Sequence, residues 1–146
     1  ASSGPSSQGT ALVDGGTWEA GSFLEVGFFG HGILNVQNGG LVIVGNETNL
    51  AFGALAQGEV TLKSGGTLQT GHVNNDGGAG GVSLLVDGGV LRAGTDEANF
   101  LRGFDPGQVV FGGDGAFIDT NGHTVGISAA IVGTGGLAEM TASMGG

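Results

Sequence analysis

The chain has 146 residues, 35 of them glycine, with three Lys and Arg against thirteen Asp and Glu, a formal net charge of −10 and no cysteine. That balance argues against nucleic acid or an anionic membrane as partner. The lack of Cys excludes a disulfide framework and thiolate metal sites. No apolar run reaches the ~18 residues of a bilayer-spanning helix, so no membrane insertion of this segment is expected. The chain starts at Ala1 with no signal-peptide pattern, as expected of a processed form or a piece of a longer protein.

Residues 1–8, ASSGPSSQ, are small and polar and read as a flexible tail or a lead-in strand. A pattern then begins at residue 9 and runs to 146. Ala11-Leu12-Val13-Asp14 leads into Gly15-Gly16, and Trp18 follows. A glycine-flanked aromatic loop, Gly27-Phe28-Phe29-Gly30-His31-Gly32, closes that stretch. Leu34 to Asn38 leads into Gly39-Gly40 and the most apolar strand, Leu41-Val42-Ile43-Val44. Val60 to Ser64 leads into Gly65-Gly66 and Leu68. Gly71 to Gly81 reads as the longest loop. Val82 to Asp87 leads into Gly88-Gly89, and Leu91 follows.

The first glycines of these pairs lie 24, 26 and 23 residues apart, and another glycine follows each by six: Gly21, Gly45, Gly71 and Gly94. Asp14, Asn38, Ser64 and Asp87 precede the pairs, as turn chemistry demands. Trp18, Val42, Leu68 and Leu91 form one apolar column, and Ala20, Val44, Thr70 and Ala93 another. Glu19, Ile43, Gln69 and Arg92, mostly polar, lie between them. This is period-two alternation, in register four times over.

After Gly94 the frame loosens. Thr95 to Gln108 reads as a corner insertion, Val109 to Phe111 as a strand, and Val125 to Ile131 as another. The turn between admits two registers, on Gly112-Gly113 or on Asp114-Gly115. The second is preferred because it sets Phe117, Ile118 and Thr120 beside Val90, Leu91 and Ala93. Gly135-Gly136-Leu137-Ala138-Glu139-Met140 opens a further unit, and no cap is recognisable after it.

A fixed period of this size marks a repeat architecture. It is too short for helix-turn-helix repeats or propeller blades, no segment carries a helical apolar stripe, and the leucine-rich frame is missing. The expectation is therefore an all-β chain: a right-handed single-stranded parallel β-helix of about five to six turns of ~24 residues. Its turns would sit on Gly15, Gly16, Gly39, Gly40, Gly65, Gly66, Gly88 and Gly89. Its core column would be Trp18, Val42, Leu68 and Leu91.

Two stretches carry a family likeness. Phe117-Ile118-Asp119-Thr120-Asn121-Gly122-His123-Thr124-Val125, then Ile131-Val132-Gly133-Thr134-Gly135-Gly136-Leu137, resembles the strand repeat of bacterial autotransporter passenger domains, F-D-T-N-G-H-T-V followed by I-x-G-T-G-G-L. Leu24-Glu25-Val26-Gly27 with Gly32-Ile33-Leu34-Asn35-Val36 is similar to the L-x-V-G frame of the same proteins. Glu139-Met140-Thr141-Ala142 departs from it, standing where the family has a lysine-led stretch. The resemblance implies an extracellular β-helix at the outer-membrane surface of a Gram-negative cell or released from it. Absence of Cys fits a passenger that crosses that membrane unfolded.

Candidate chemistry is sparse. His31, His72 and His123 stand at different offsets from their repeat glycines, so no metal site is expected of them. Gly112 to Phe117 grazes the calcium nonapeptide, but Phe117 stands where the Asp should be. Asn74-Asn75-Asp76 offers at most a weak cation loop. Asp14 and Asp87 are turn residues, and Glu25, Glu47 and Glu59 fall at unrelated offsets, so no carboxylate pair for glycan cleavage is assembled. Thr17 and Thr67 share a column that Leu41 and Val90 interrupt, so there is no threonine ladder. No catalytic residue, cofactor or metal is therefore expected. The reading is a non-catalytic structural or adhesive passenger segment. The alternative is a self-assembling filament subunit, and a polysaccharide-acting enzyme is disfavoured. Expected partners are a second copy end to end or the rest of a longer passenger, and a host or neighbouring-cell surface.

Overall fold

The computed structural model describes residues 8–77 and 81–133, and the backbone alone of 137–141. The first turn carries β1 (Gln8–Asp14), β2 (Thr17–Glu19) and β3 (Phe23–Val26). The second carries β4 (His31–Gln37), β5 (Leu41–Ile43) and β6 (Glu47–Leu50). The third carries β7 (Gln57–Lys63), β8 (Thr67–Thr70) and β9 (His72–Asn75). The fourth carries β10 (Val82–Asp87), β11 (Val90–Ala93) and β12 (Leu101–Arg102). Then come β13 (Val109–Phe111), β14 (Ala116–Asp119), β15 (Ile131–Gly133) and β16 (Leu137–Thr141). No helix occurs among the described residues.

Equivalent strands of successive turns pair in parallel. One sheet runs β1-β4-β7-β10-β13-β15, a second β2-β5-β8-β11-β14-β16, and a third β3-β6-β9-β12. The result is a parallel β-solenoid of about five turns, ~24 residues each. Its core is a set of axial columns. Trp18, Val42, Leu68, Leu91 and Ile118 occupy successive rungs of the second sheet. Val13, Val36, Leu62, Val86 and Phe111 do so on the first. Val42, Leu68 and Leu91 are wholly buried, whereas Trp18, on the first rung, remains 38% exposed. Inward threonines are satisfied internally: Thr48 Oγ1 donates to Thr70 Oγ1 at 3.0 Å, and Thr70 Oγ1 to the His72 carbonyl at 3.1 Å, as buried hydroxyls require.

The glycine pairs have two distinct jobs. Gly15, Gly39, Gly65 and Gly88 have φ between 71° and 87°, the left-handed region that glycine enters without steric cost. Gly40, Gly66 and Gly89 have ordinary φ but lie against the turn below. A methyl on Gly89 would stand 2.6 Å from the Leu62 carbonyl oxygen, and one on Gly40 or Gly66 would strike the Val13 or Val36 carbonyl. Between Phe111 and Phe117 the chain takes the Asp114-Gly115 register. Gly88 donates its N–H to Gly115, and Phe117 and Ile118 pair with Val90 and Leu91.

Three stretches differ from the sequence expectation. His72–Asn75, read as loop, is β9, flanked by β6 and β12. The supposed insertion 95–108 contributes β12 to the same sheet and buries Phe100 completely. The strand expected over Val125–Ile131 is instead an isolated bridge from Val125 to Glu97, with the strand proper at Ile131–Gly133. The third-sheet segments are rich in Asn, Asp and Gly, which locally favour turns. Pairing with the neighbouring turns overrides that preference. The expectations for residues 1–7, for 78–80, for the turn at 134–136 and for the C-terminal end beyond 141 lie outside the described residues.

Leu68→Ala should cost ~2–5 kcal/mol, because its column leaves no room to collapse around the missing atoms. Gly66→Ala should cost ~1–3 kcal/mol by forcing two turns apart. Urea melts of both variants check this, and a loss below ~0.5 kcal/mol for Leu68→Ala, far under the large-to-small range, would mean the column is exposed.

Candidate functional site

Polar side chains on this solenoid find their partners one turn away. Asp14 accepts hydrogen bonds from Gln37 Nε2 and Asn38 Nδ2 at 3.1 and 3.2 Å. Arg92 Nε donates to Asp119 at 3.0 Å. Each histidine meets a carboxylate: His31 with Glu59, His72 Nε2 with Glu47 at 3.1 Å, and His123 Nδ1 with Asp96 at 3.3 Å. Within turn four, Arg102 pairs with Glu97. The partners in most of these pairs are separated by 23 to 28 residues, about one repeat. That separation is the signal that could have located them. Reading the histidines against the glycines instead of against residues one period away hid it.

The third sheet concentrates negative charge. Register places Glu25, Asn49, Asn74 and Arg102 on successive rungs. Glu25 Oε1 accepts from Asn49 Nδ2 at 3.0 Å, Asn49 Oδ1 accepts from Asn74 Nδ2 at 3.3 Å, and Asn74 Nδ2 also reaches Asp76 Oδ1 at 3.3 Å. Glu25 Oε2 is buried with no hydrogen-bond partner. Burial pushes the Glu25 carboxyl above its ordinary range, and the charges of Asp76 and Glu47 add to this, against the opposing Asn49 bond. Asp96, fully exposed, goes the other way. The Thr124 amide donates to its carboxylate at 2.9 Å, and this bond, helped by His123, holds the carboxyl below the usual range.

Two apolar features break the polar surface. At the corner between the third and first sheets, Phe28 and Phe52 stack with ring centroids 4.7 Å apart and planes within 5°, and Phe29 meets Phe28 edge-on at 4.4 Å. The rings are 37%, 46% and 44% exposed for Phe28, Phe52 and Phe29. At the first rung the described residues leave a cavity of about 520 Å³ whose lining includes Ala11, Trp18, Leu24, Val26 and Leu34.

The expected turn glycines occupy the corners between the first and second sheets, and the expected column residues occupy the second sheet's inward face. Among the described residues no three His, Cys, Asp or Glu converge as a metal set. Asp87 accepts from the Asp114 amide at 2.8 Å, so the calcium-like stretch serves to stack one turn on the next. The arrangement defines a parallel β-solenoid carrying polar ladders. No protein-family model, curated protein or solved structure matches the chain.

Glu25 makes the fold pH-dependent in a defined sense. Its raised folded value means the folded chain holds this proton where the unfolded chain has lost it. The stability so gained is complete below the ordinary Glu range and is lost as pH rises through the raised value. Glu25→Gln should therefore be more stable than the parent above neutrality, with the gap closing towards pH 4. Paired urea melts across that range measure it. A variant no more stable than the parent above neutrality would overturn this.

Proposed function

We propose that this chain is a non-catalytic structural and adhesive segment of an extracellular surface protein, of the kind the autotransporter-passenger resemblance implies. The observation that supports this reading is where the polar groups go. Acids, amides, histidines and arginines are used between turns, rung on rung, in a pattern that extends a solenoid and presents its flanks. A hydrolase of the same architecture would instead need two carboxylates held across one scissile bond. Beads coated with the purified chain should be retained on cell layers under flow beyond uncoated beads, and the chain should release no reducing ends from acidic or neutral polysaccharides. Retention equal to bare beads would remove the adhesive role, and reducing-end release would remove the non-catalytic one.

The cavity at the first rung favours a second reading, in which another copy docks end to end. Among the described residues β1, β2 and β3 are edge strands of their sheets, and Trp18 stands beside the cavity. Contact of this heterologous kind propagates unless rotation closes a ring. The single tryptophan reports on it: emission should shift to the blue as concentration rises, in step with sedimenting mass, and Trp18→Glu should abolish the mass increase. A constant monomer mass at all concentrations excludes this reading.

A further inference from the structure

The Phe28–Phe29–Phe52 corner is a built feature. Ala51, a residue with a Cβ, is held at φ 63° and is completely buried, next to Phe52. Left-handed backbone at a non-glycine residue is strained and persists only where the surroundings enforce it. Here the enforcing contacts are rung-to-rung hydrogen bonds: Ala51 N–H to the Val26 carbonyl, Phe52 N–H to Gly27 and Gly53 N–H to Phe28. They keep two loops of consecutive turns in register and bring their phenylalanines face to face. Gly53 leaves the room that the Phe29 ring uses, since a Cβ there would strike it. Three rings so fixed and about two-fifths exposed form a rigid aromatic shelf on a chain of net charge −10.

The shelf borders the acidic part of the third sheet. Glu25 lies three residues before Phe28, at most ~11 Å along the chain. Asp76 donates its N–H to the Leu50 carbonyl, which puts its backbone one rung from Ala51 and so beside Phe52. Glu25 feels the charges of Asp76 and Glu47. Among the described residues, the basic side chain that meets one of the three directly is His72, whose Nε2 lies 3.1 Å from Glu47. Rings attract cations at their faces, and arginine, planar and weakly hydrated, does so best. Nearby carboxylates within about a Debye length add to the attraction.

We propose that this corner is a docking surface for a basic protein segment, with an arginine side chain laid on the face of Phe52 turned away from Phe28 and its charge turned towards Glu25, Glu47 and Asp76. The proposal deepens the reading of the solenoid as an adhesive display surface and rests on it. The probe is a fluorescent arginine-containing peptide, compared with its lysine and glutamine counterparts by anisotropy at low and high salt. Binding should rank arginine above lysine, with the glutamine peptide silent. Phe52→Ala should weaken the arginine peptide about tenfold, the value of one partly desolvated cation–π contact. Phe52→Leu, which keeps apolar bulk and guards against a folding defect, should lose the arginine preference. Asp76→Asn should lower affinity and flatten the salt dependence, whereas Asp14→Asn, at a distant corner, should not. Equal binding by parent and Phe52→Leu, equal binding of the glutamine peptide, or no binding would each overturn the proposal. Phe52→Leu-coated beads held on cells as firmly as parent beads would remove this site while leaving the display reading in place.

Discussion

Every turn of this molecule must lie roughly 4.8 Å from the next around its whole circumference, corners included. Strands meet that spacing without difficulty, but corners do so only where the backbone can fold tightly and where nothing projects into the neighbouring turn. The hydrogen bonds from Asn38 to Ser64 and from Gly39 to Gly65 show that the corners themselves stay in register. Left-handed φ at the first glycine of each pair supplies the fold, and the missing Cβ of the second supplies the clearance at Gly40, Gly66 and Gly89. A glycine content several times the usual ~7% is therefore a stereochemical requirement of stacking and no sign of disorder.

The same spacing governs charge. Side chains at one position of successive turns stand within van der Waals reach, so an acid stacked on an acid would repel. With thirteen acids and three basic residues, the chain spaces its carboxylates with amides, histidines and arginines. Exposed pairs of this type are worth little individually. What they add is register, because a slip of one residue exchanges the two faces of every strand. Glu25 is where this arrangement is incomplete: one oxygen is unpartnered and two further carboxylates are close by.

Burial is uneven along the axis. The middle rungs hold fully buried Val42, Leu68 and Leu91, whereas the first rung leaves Trp18 and Phe23 accessible. Stability in such an array is a sum of rung and interface terms, so the middle rungs, flanked on both sides, gain most from packing. The aromatic corner is different in kind. Its geometry is set by strained, hydrogen-bonded loops of two consecutive turns.

How much of this was legible in the chain follows from the range of each interaction. The period, the turn glycines, the core column at Val42, Leu68 and Leu91 and the Asp114-Gly115 register could all be read, because each is set by local φ preferences and by alternation within a few residues. The third sheet could not be read in full: His72–Asn75 and Leu101–Arg102 lie in stretches rich in Gly, Asn and Asp and become strands by pairing with the turns beside them. Nor could the histidine–carboxylate contacts of His31, His72 and His123, the incompletely partnered Glu25 or the Phe28–Phe52 stack, which join residues about one repeat apart. Local sequence determined where the chain turns and which side of each main strand faces inward. Only stacking decided what each side chain meets, because turns that vary from 22 to 28 residues shift the partner of any given residue by several positions.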